Sequence, residues 1–324
     1  MRVTLDIGRF NPDAPNAKPY RQEFTLEVED YYTVLDGLIR IREYEDPTLT
    51  VRCSCRASIC GSCAMRINGH ASLGCKTKII NVISKDGRVR VDPVGNMAPV
   101  KDLVWDMAPF WDKIRAVQPY LQPEGPEPQD EYIAPAEAMQ HLVGVMGCIM
   151  CGACVSDCTV MEVDKNFLGP AALAKAYRFV GDPRDGAVKD RLKALNEYTG
   201  IWDCTRCMEC VQACPKGVAP MDRIMALRDK AIVSGLHNTN GARHAEAFAD
   251  LVKKNGVLDE LRLVPRTYGM FNLMNMNAMF AAIPVGWRAL THGKLPPIIP
   301  HKLHGKENQD AVQHIYDKVE GHKP

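Results

Sequence analysis

The chain has 324 residues, with 40 Lys and Arg against 39 Asp and Glu. A balance so close to neutrality excludes a nucleic-acid binder that works through a general basic field, and the length implies more than one domain. No run of about 18 apolar residues is present to cross a bilayer, and MRVTLDIGRFNPD has no leader-length apolar core, so the expectation is a soluble cytoplasmic chain.

In chain order, the first hundred residues alternate apolar and polar positions in short runs: VTLDI, EFTLEV at 23–28 and RVRVDPV at 88–94. Period-two alternation predicts strands. Between them YTVLDGLIRIREY places Val34, Leu35, Leu38 and Ile39 at helical spacing, which predicts a helix on a small sheet. Residues 1–105 are therefore expected to form a ferredoxin-like domain. A linker spans 106–135, where the prolines and acids of PYLQPEGPEPQDEYIAP prevent regular structure. Residues 136–235 alternate cysteine turns with helical patterns such as PAALAKAYRFV and MDRIMALRDKAIV. Residues 236–324 hold a helical stretch around HAEAFADLVKKNGVLDEL and a methionine-rich run from Met270 to Phe280. The fold class is α+β.

Twelve of the 13 cysteines fall into three spaced groups, and a reducing cytosol favours metal ligation over disulfides. Cys55, Cys60, Cys63 and Cys75 follow C-x4-C-x2-C…C, the plant-type spacing for a [2Fe–2S] cluster. Gly61 and Ser62 let the loop wrap closely. Cys148, Cys151, Cys154 and Cys158 follow C-x2-C-x2-C-x3-C, and Cys204, Cys207, Cys210 and Cys214 repeat it, with Pro215 closing the run. Two such runs form the bacterial ferredoxin signature, in which the fourth cysteine of each ligates the other's cluster. That rule assigns Cys148, Cys151, Cys154 and Cys214 to one [4Fe–4S] centre, and Cys158, Cys204, Cys207 and Cys210 to a third centre. Zinc is the competing reading, but zinc sites favour paired C-x2-4-C loops. His70 reads as a surface residue, and Cys53 as a small buried apolar side chain. No dinucleotide fingerprint or P-loop is present, so the chain reads as a wire without a catalytic residue of its own.

The stretches SCRASICGSCAMRING, VKDLVWDMAPFWDKIRAVQPYLQ, FLGPAALAKAYRFVGDPRD and CPKGVAP resemble the iron–sulfur subunit of succinate dehydrogenase and fumarate reductase over residues 1–235. The resemblance implies a β-grasp [2Fe–2S] domain followed by a helical two-cluster domain. It also implies electron relay from the covalent FAD of a flavoprotein subunit toward a membrane quinone, on the cytoplasmic face of the membrane and peripheral through partner subunits. Cys55, Cys60, Cys63 and Cys75 would face the flavin.

The chain departs from the family pattern in two respects, at the third cysteine run and at the quinone site. Cys207 stands where the family usually has a non-cysteine, which makes the third centre [4Fe–4S] rather than [3Fe–4S]. Thr159, the VMEVD that follows, and Thr205 stand where the family usually has Pro, a nearby Trp and His. This subunit is therefore not expected to form a standard quinone pocket. The HAEAFADLVKKNGVLDE pattern is similar to heterodisulfide-reductase-type subunits, which carries an alternative: service to a thiol-linked fumarate reductase, with a cysteine-rich partner in place of a membrane anchor. The tail residues Lys294, His301, Lys302 and His304 read as solvated surface, with anionic lipid headgroups or an acidic partner as the sharper alternative.

Overall fold

A computed structural model describes residues 1–15, 17–269, 276–294 and 305–321, except the side chains of 276–279, 281, 282 and 320. Strand β1 (Arg2–Arg9) pairs antiparallel with β2 (Tyr20–Glu27) and parallel with a later strand at Arg88–Asp92. Its alternation is the predicted one: Val3, Leu5 and Ile7 are buried. Helix α1 (Val34–Tyr44) lays Val34, Leu35, Leu38 and Ile41 on that face. Thr33 and Asp36 close a reciprocal capping box at its start, an arrangement that contributes about 1 kcal/mol.

The cysteine loop of residues 52–63 leads into β3 (Ala64–Ile67) and β4 (His70–Leu73), a hairpin turned by Asn68 and Gly69, both at positive φ. Asn-Gly is the residue pair that a two-residue hairpin turn demands. After the short α2 (Ile79–Val82), β5 (Arg88–Asp92) enters between β1 and β3, giving the order β2-β1-β5-β3-β4. A small ribbon of β6 (Pro99–Lys101) and β7 (Val104–Trp105) follows.

Helix α3 (Ala108–Ala116) begins inside the span read as linker and buries Phe110 and Ile114. The proline-rich stretch 119–135 has no regular secondary structure. Its start is nevertheless pinned: the Arg191 guanidinium donates to the carbonyls of Val117, Gln118 and Tyr120 while paired with Asp185.

The cysteine runs are set among α4 (Ala136–Met139), α5 (Val143–Met146), α6 (Ala153–Ser156) and α7 (Thr159–Val163), then α8 (Gly169–Val180), α9 (Val188–Leu195), α10 (Glu209–Gln212) and α11 (Pro220–Val233). Helix α8 is the hub of this half. Ala171, Ala172, Leu173, Ala174 and Ala176 are all buried, and side chains this small let the surrounding turns approach its backbone.

Residues 1–230 form one unit, and residues 231–324 form a second. The second contains α12 (Asn240–Asn255), α13 (Glu260–Tyr268), α14 (Met276–Thr291) and α15 (Lys306–Glu320). The helical stretch predicted from His244 to Leu261 is divided. Gly256 adopts the left-handed conformation at φ +76° and ends α12, and Asp259 caps a new helix. Met270–Asn275 and His301–His304 lie outside the described residues.

Candidate metal centres

The first cysteine loop turns its backbone inward. Arg56, Ser58 and Gly61 have positive φ, and the N–H groups of Ala57, Ile59 and Cys60 donate to Cys55 Sγ at 3.3–3.4 Å. Ser58 N–H donates to Cys75 Sγ at 3.3 Å, so residues from two ends of the hairpin meet. Such a nest of N–H groups stabilises negative charge on sulfur. The Ser62 hydroxyl, 3.1 Å from Cys60 Sγ, holds that exposed thiol down at about 6. Burial pushes Cys63 up to about 12.

The second and third runs repeat one local conformation. The residues flanking the second cysteine of each run, Met150 and Gly152, then Arg206 and Met208, have positive φ. A short helix then starts at Ala153 or Glu209. The structure gathers Cys148, Cys151, Cys154 and Cys214 around one cavity. It gathers Cys158, Cys204, Cys207 and Cys210 around another, walled by Phe167 and Ile224. Each cavity thus draws on both runs.

Burial raises Cys151 to about 11 and Cys210 to about 12, and it also raises Cys154 and Cys158. Cys207 differs: burial acts upward, but the Thr159 hydroxyl and backbone N–H groups outweigh it and hold the exposed thiol down. Arg228 is buried beside the third cavity, donating to the carbonyls of Ile201 and Cys204 and stacking over Trp202. Burial brings its guanidinium to about 10.

Four sulfurs on one zinc ion sit at about 2.3 Å from it. Among the described residues no three Cys, His or carboxylate side chains converge in that way. The thiols instead stand around cavities that Cβ-bearing neighbours leave free, a donor set suited to a polynuclear group.

The three sites adjoin. A Cβ on Gly61 would lie 2.8 Å from Cys151 Cβ and 3.0 Å from the Ile149 carbonyl, so the first loop touches the second. The charge of Cys210 acts on Cys154, one cysteine from each cavity. The junction is fastened by side chains that spacing did not reveal. Arg66 on β3 donates to Ser156 Oγ, Asp157 Oδ1 and the Ser156 carbonyl. Asn96 donates to the carbonyls of Val155 and Cys158, and Ala71 N–H reaches Asp157 Oδ2. Ser156 and Asp157 stand between two cysteines, the only signal that could have marked them.

His70 heads β4 on the surface. Cys53 is partly exposed rather than buried, in a segment outside any strand or helix.

A family profile described as a 2Fe-2S iron-sulfur cluster binding domain matches residues 4–112, and one described as a 4Fe-4S dicluster domain matches residues 144–218. The chain is 40% identical over 220 residues to the mitochondrial succinate dehydrogenase [ubiquinone] iron-sulfur subunit of Candida glabrata, covering 67% of this chain and 86% of that one. It is 36% identical over 229 residues to iron-sulfur subunit 1 of the same enzyme from Oryza sativa subsp. japonica, covering 69% and 80%. Among solved structures it is similar to a chain of the Mycobacterium smegmatis Sdh1 complex in the apo form, with a TM-score of 0.65 and 26% identity, over 72% of this chain and 96% of that one. The expected α+β class, with a sheet-bearing first domain and a helical second, agrees with these likenesses.

Proposed function

The chain belongs to the family of succinate dehydrogenase iron–sulfur subunits, and from that premise we infer that it relays single electrons between the FAD of a flavoprotein subunit and a terminal partner at the membrane. The relatives favour this reading over the heterodisulfide-type alternative. Iron–sulfur clusters, when bound, accept and release one electron at a time.

What the chain itself does is hold, insulate and align three such groups. Cys55, Cys60, Cys63 and Cys75 would hold the [2Fe–2S] group in a nest of N–H donors. Cys148, Cys151, Cys154 and Cys214 would hold the middle [4Fe–4S] group, and Cys158, Cys204, Cys207 and Cys210 the third. Burial of Cys63, Cys158 and Cys210 keeps water from the inner sulfurs. The contact of Gly61 with Cys151 and the Arg66 clasp on Ser156 and Asp157 keep the first two sites at fixed separation.

The observation that carries the reading is this succession: the first loop seated on Cys151, Cys154 beside Cys210, and Cys207 at the surface. Thr159, Thr205, Arg206 and Met208 surround Cys207 on an exposed face, the exit toward a membrane-anchor or cysteine-rich subunit and its quinone. No described helix is long and apolar enough to cross a membrane.

The test is reconstitution. The cluster-loaded chain is expected to be inert toward succinate by itself and to be reduced by succinate once its flavoprotein is added, with bleaching of its visible absorption. Oxidation of succinate by the isolated chain without flavin would overturn the reading.

A further inference from the structure

Helix α14 presents Phe280, Ile283, Trp287 and Leu290 on one side, each more than half exposed. Their spacing of three, four and three residues places them on one face of a helix. No described residue covers this stripe, whereas α12 buries Ala242, Ala247 and Leu251 in the same unit.

The second observation is charge. From Leu261 to Lys306 there is no Asp or Glu, while Arg262, Arg266, Arg288, Lys294, Lys302 and Lys306 contribute six positive charges. In a chain of net charge +1, that is a strong local surplus. Arg262 and Arg266 are paired with Asp259 and Asp250. Arg288 and Lys294, which flank the end of the stripe, form no ion pair among the described residues; there the Arg288 guanidinium donates only to the Pro284 carbonyl.

We propose that α14 lies in the headgroup region of an anionic lipid bilayer, with the Phe280, Ile283, Trp287 and Leu290 stripe inserted and Arg288 and Lys294 on the lipid phosphates. At 1.5 Å per residue the 16-residue helix reaches about 24 Å, short of the roughly 30 Å hydrocarbon core, so it lies along the surface and does not cross. An apolar face edged by uncompensated cations is the composition that binds bilayer surfaces. Trp287, with an apolar body and one N–H, suits the boundary between tails and water. A protein seat would be met by an apolar stripe alone and gives no reason for a 46-residue absence of acids. The proposal is independent of the electron-relay reading: it gives the chain its own contact with the membrane, beside any made by partner subunits.

The test uses the full cluster-loaded chain and sucrose-filled vesicles of phosphatidylcholine alone or with roughly one-third phosphatidylglycerol. The chain is expected to sediment with the anionic vesicles, much less with the neutral ones, and to be released by high salt. Ile283→Asp with Trp287→Asp should weaken partitioning about ten-fold or more, and Arg288→Gln with Lys294→Gln should abolish the preference for anionic lipid. Iron content and visible absorption report whether the variants are folded. Should a variant fail that check, quenching of the wild-type tryptophan emission by brominated lipid, absent in Trp287→Phe, decides instead. Sedimentation no greater than without vesicles would overturn the proposal. So would equal binding by the Asp variant, or a Trp287-dependent association with a second copy or an anchor subunit without any binding to vesicles.

Discussion

Thr159 Oγ1 lies 3.4 Å from Cys207 Sγ, so a hydroxyl from the second cysteine run donates to the outermost thiol of the third. Both residues are among the positions read from the sequence as departing from the family pattern, and the fold brings them into contact. A hydroxyl that donates to a sulfur stabilises the more negative, reduced state and raises the potential. Thr159→Val keeps the shape and removes the donor. The third centre should then titrate lower, by on the order of 1 kcal/mol or roughly 40 mV for one electron. Redox titration followed by electron paramagnetic resonance reads the shift, and an unmoved midpoint would leave Thr159 no part in tuning.

Cys207 itself is the more drastic change. Cys207→Ala leaves Cys158, Cys204 and Cys210 around the cavity, one corner short. The oxidised variant should show a [3Fe–4S] signal that the wild type lacks, with the terminal potential raised, because cluster type sets potential. A native [3Fe–4S] signal at full iron occupancy of the wild type would contradict the four-cysteine assignment.

Much of this was readable because it is local. Alternation placed Val3, Leu5 and Ile7 on one face of β1, and cysteine spacing is a property of a dozen consecutive residues. The β3–β4 hairpin was not read in this way, because its strands are only four residues each and carry little periodicity of their own. The clasp of Arg66 on Ser156 and Asp157 joins residues some 90 positions apart, and no pattern along the chain encodes which arginine meets which carboxylate. Cys53 was misread for a related reason: type alone favours burial, whereas its exposure depends on which distant segments pack against an irregular stretch.

Iron removal should be strongly coupled to pH. Burial holds the empty thiols of Cys151 and Cys210 protonated, near 11 and 12, while the loaded sites hold thiolates. The apo form therefore binds more protons than the loaded form, and iron affinity rises with pH through the neutral range. Chelator competition between about pH 6 and 8 should require more chelator at the higher pH. Because each cavity draws on both runs, the stripped chain should become protease-sensitive across residues 144–218. The opposite pH trend would sink this account.

Arg9 sits buried at the end of β1, with its Nε donating to Asp102 Oδ1 at 2.9 Å. Asp102, also buried, accepts from the backbone of Phe10 and Thr50 as well. Asp102→Ala removes one of the two carboxylates on Arg9, leaving it Asp46, and strands the Phe10 and Thr50 N–H groups, which together costs about 3 kcal/mol. Asp102→Asn keeps acceptor oxygen and should lose less. Denaturant unfolding of the loaded chain measures both, and equal stability of Asp102→Ala and wild type would remove the pair from the architecture.

The seat of Gly61 on Cys151 is the point at which fold and electron path coincide. At φ +76°, with a Cβ position 2.8 Å from Cys151 Cβ, Gly61→Ala meets both a strained backbone and a clash with a residue that cannot swing aside. The two effects together cost roughly 2 kcal/mol or more. Relief requires the first loop to lift from the second, so electron passage between the first two centres should slow. Gly69 supplies the control, since its φ is +88° and nothing lies within 4 Å of the Cβ position. Gly69→Ala carries the backbone strain without the clash. Rapid-mixing reduction through the flavoprotein partner should show the inter-centre step slowed in Gly61→Ala and unchanged in Gly69→Ala. If both variants slow alike, backbone strain rather than the contact with Cys151 sets the rate.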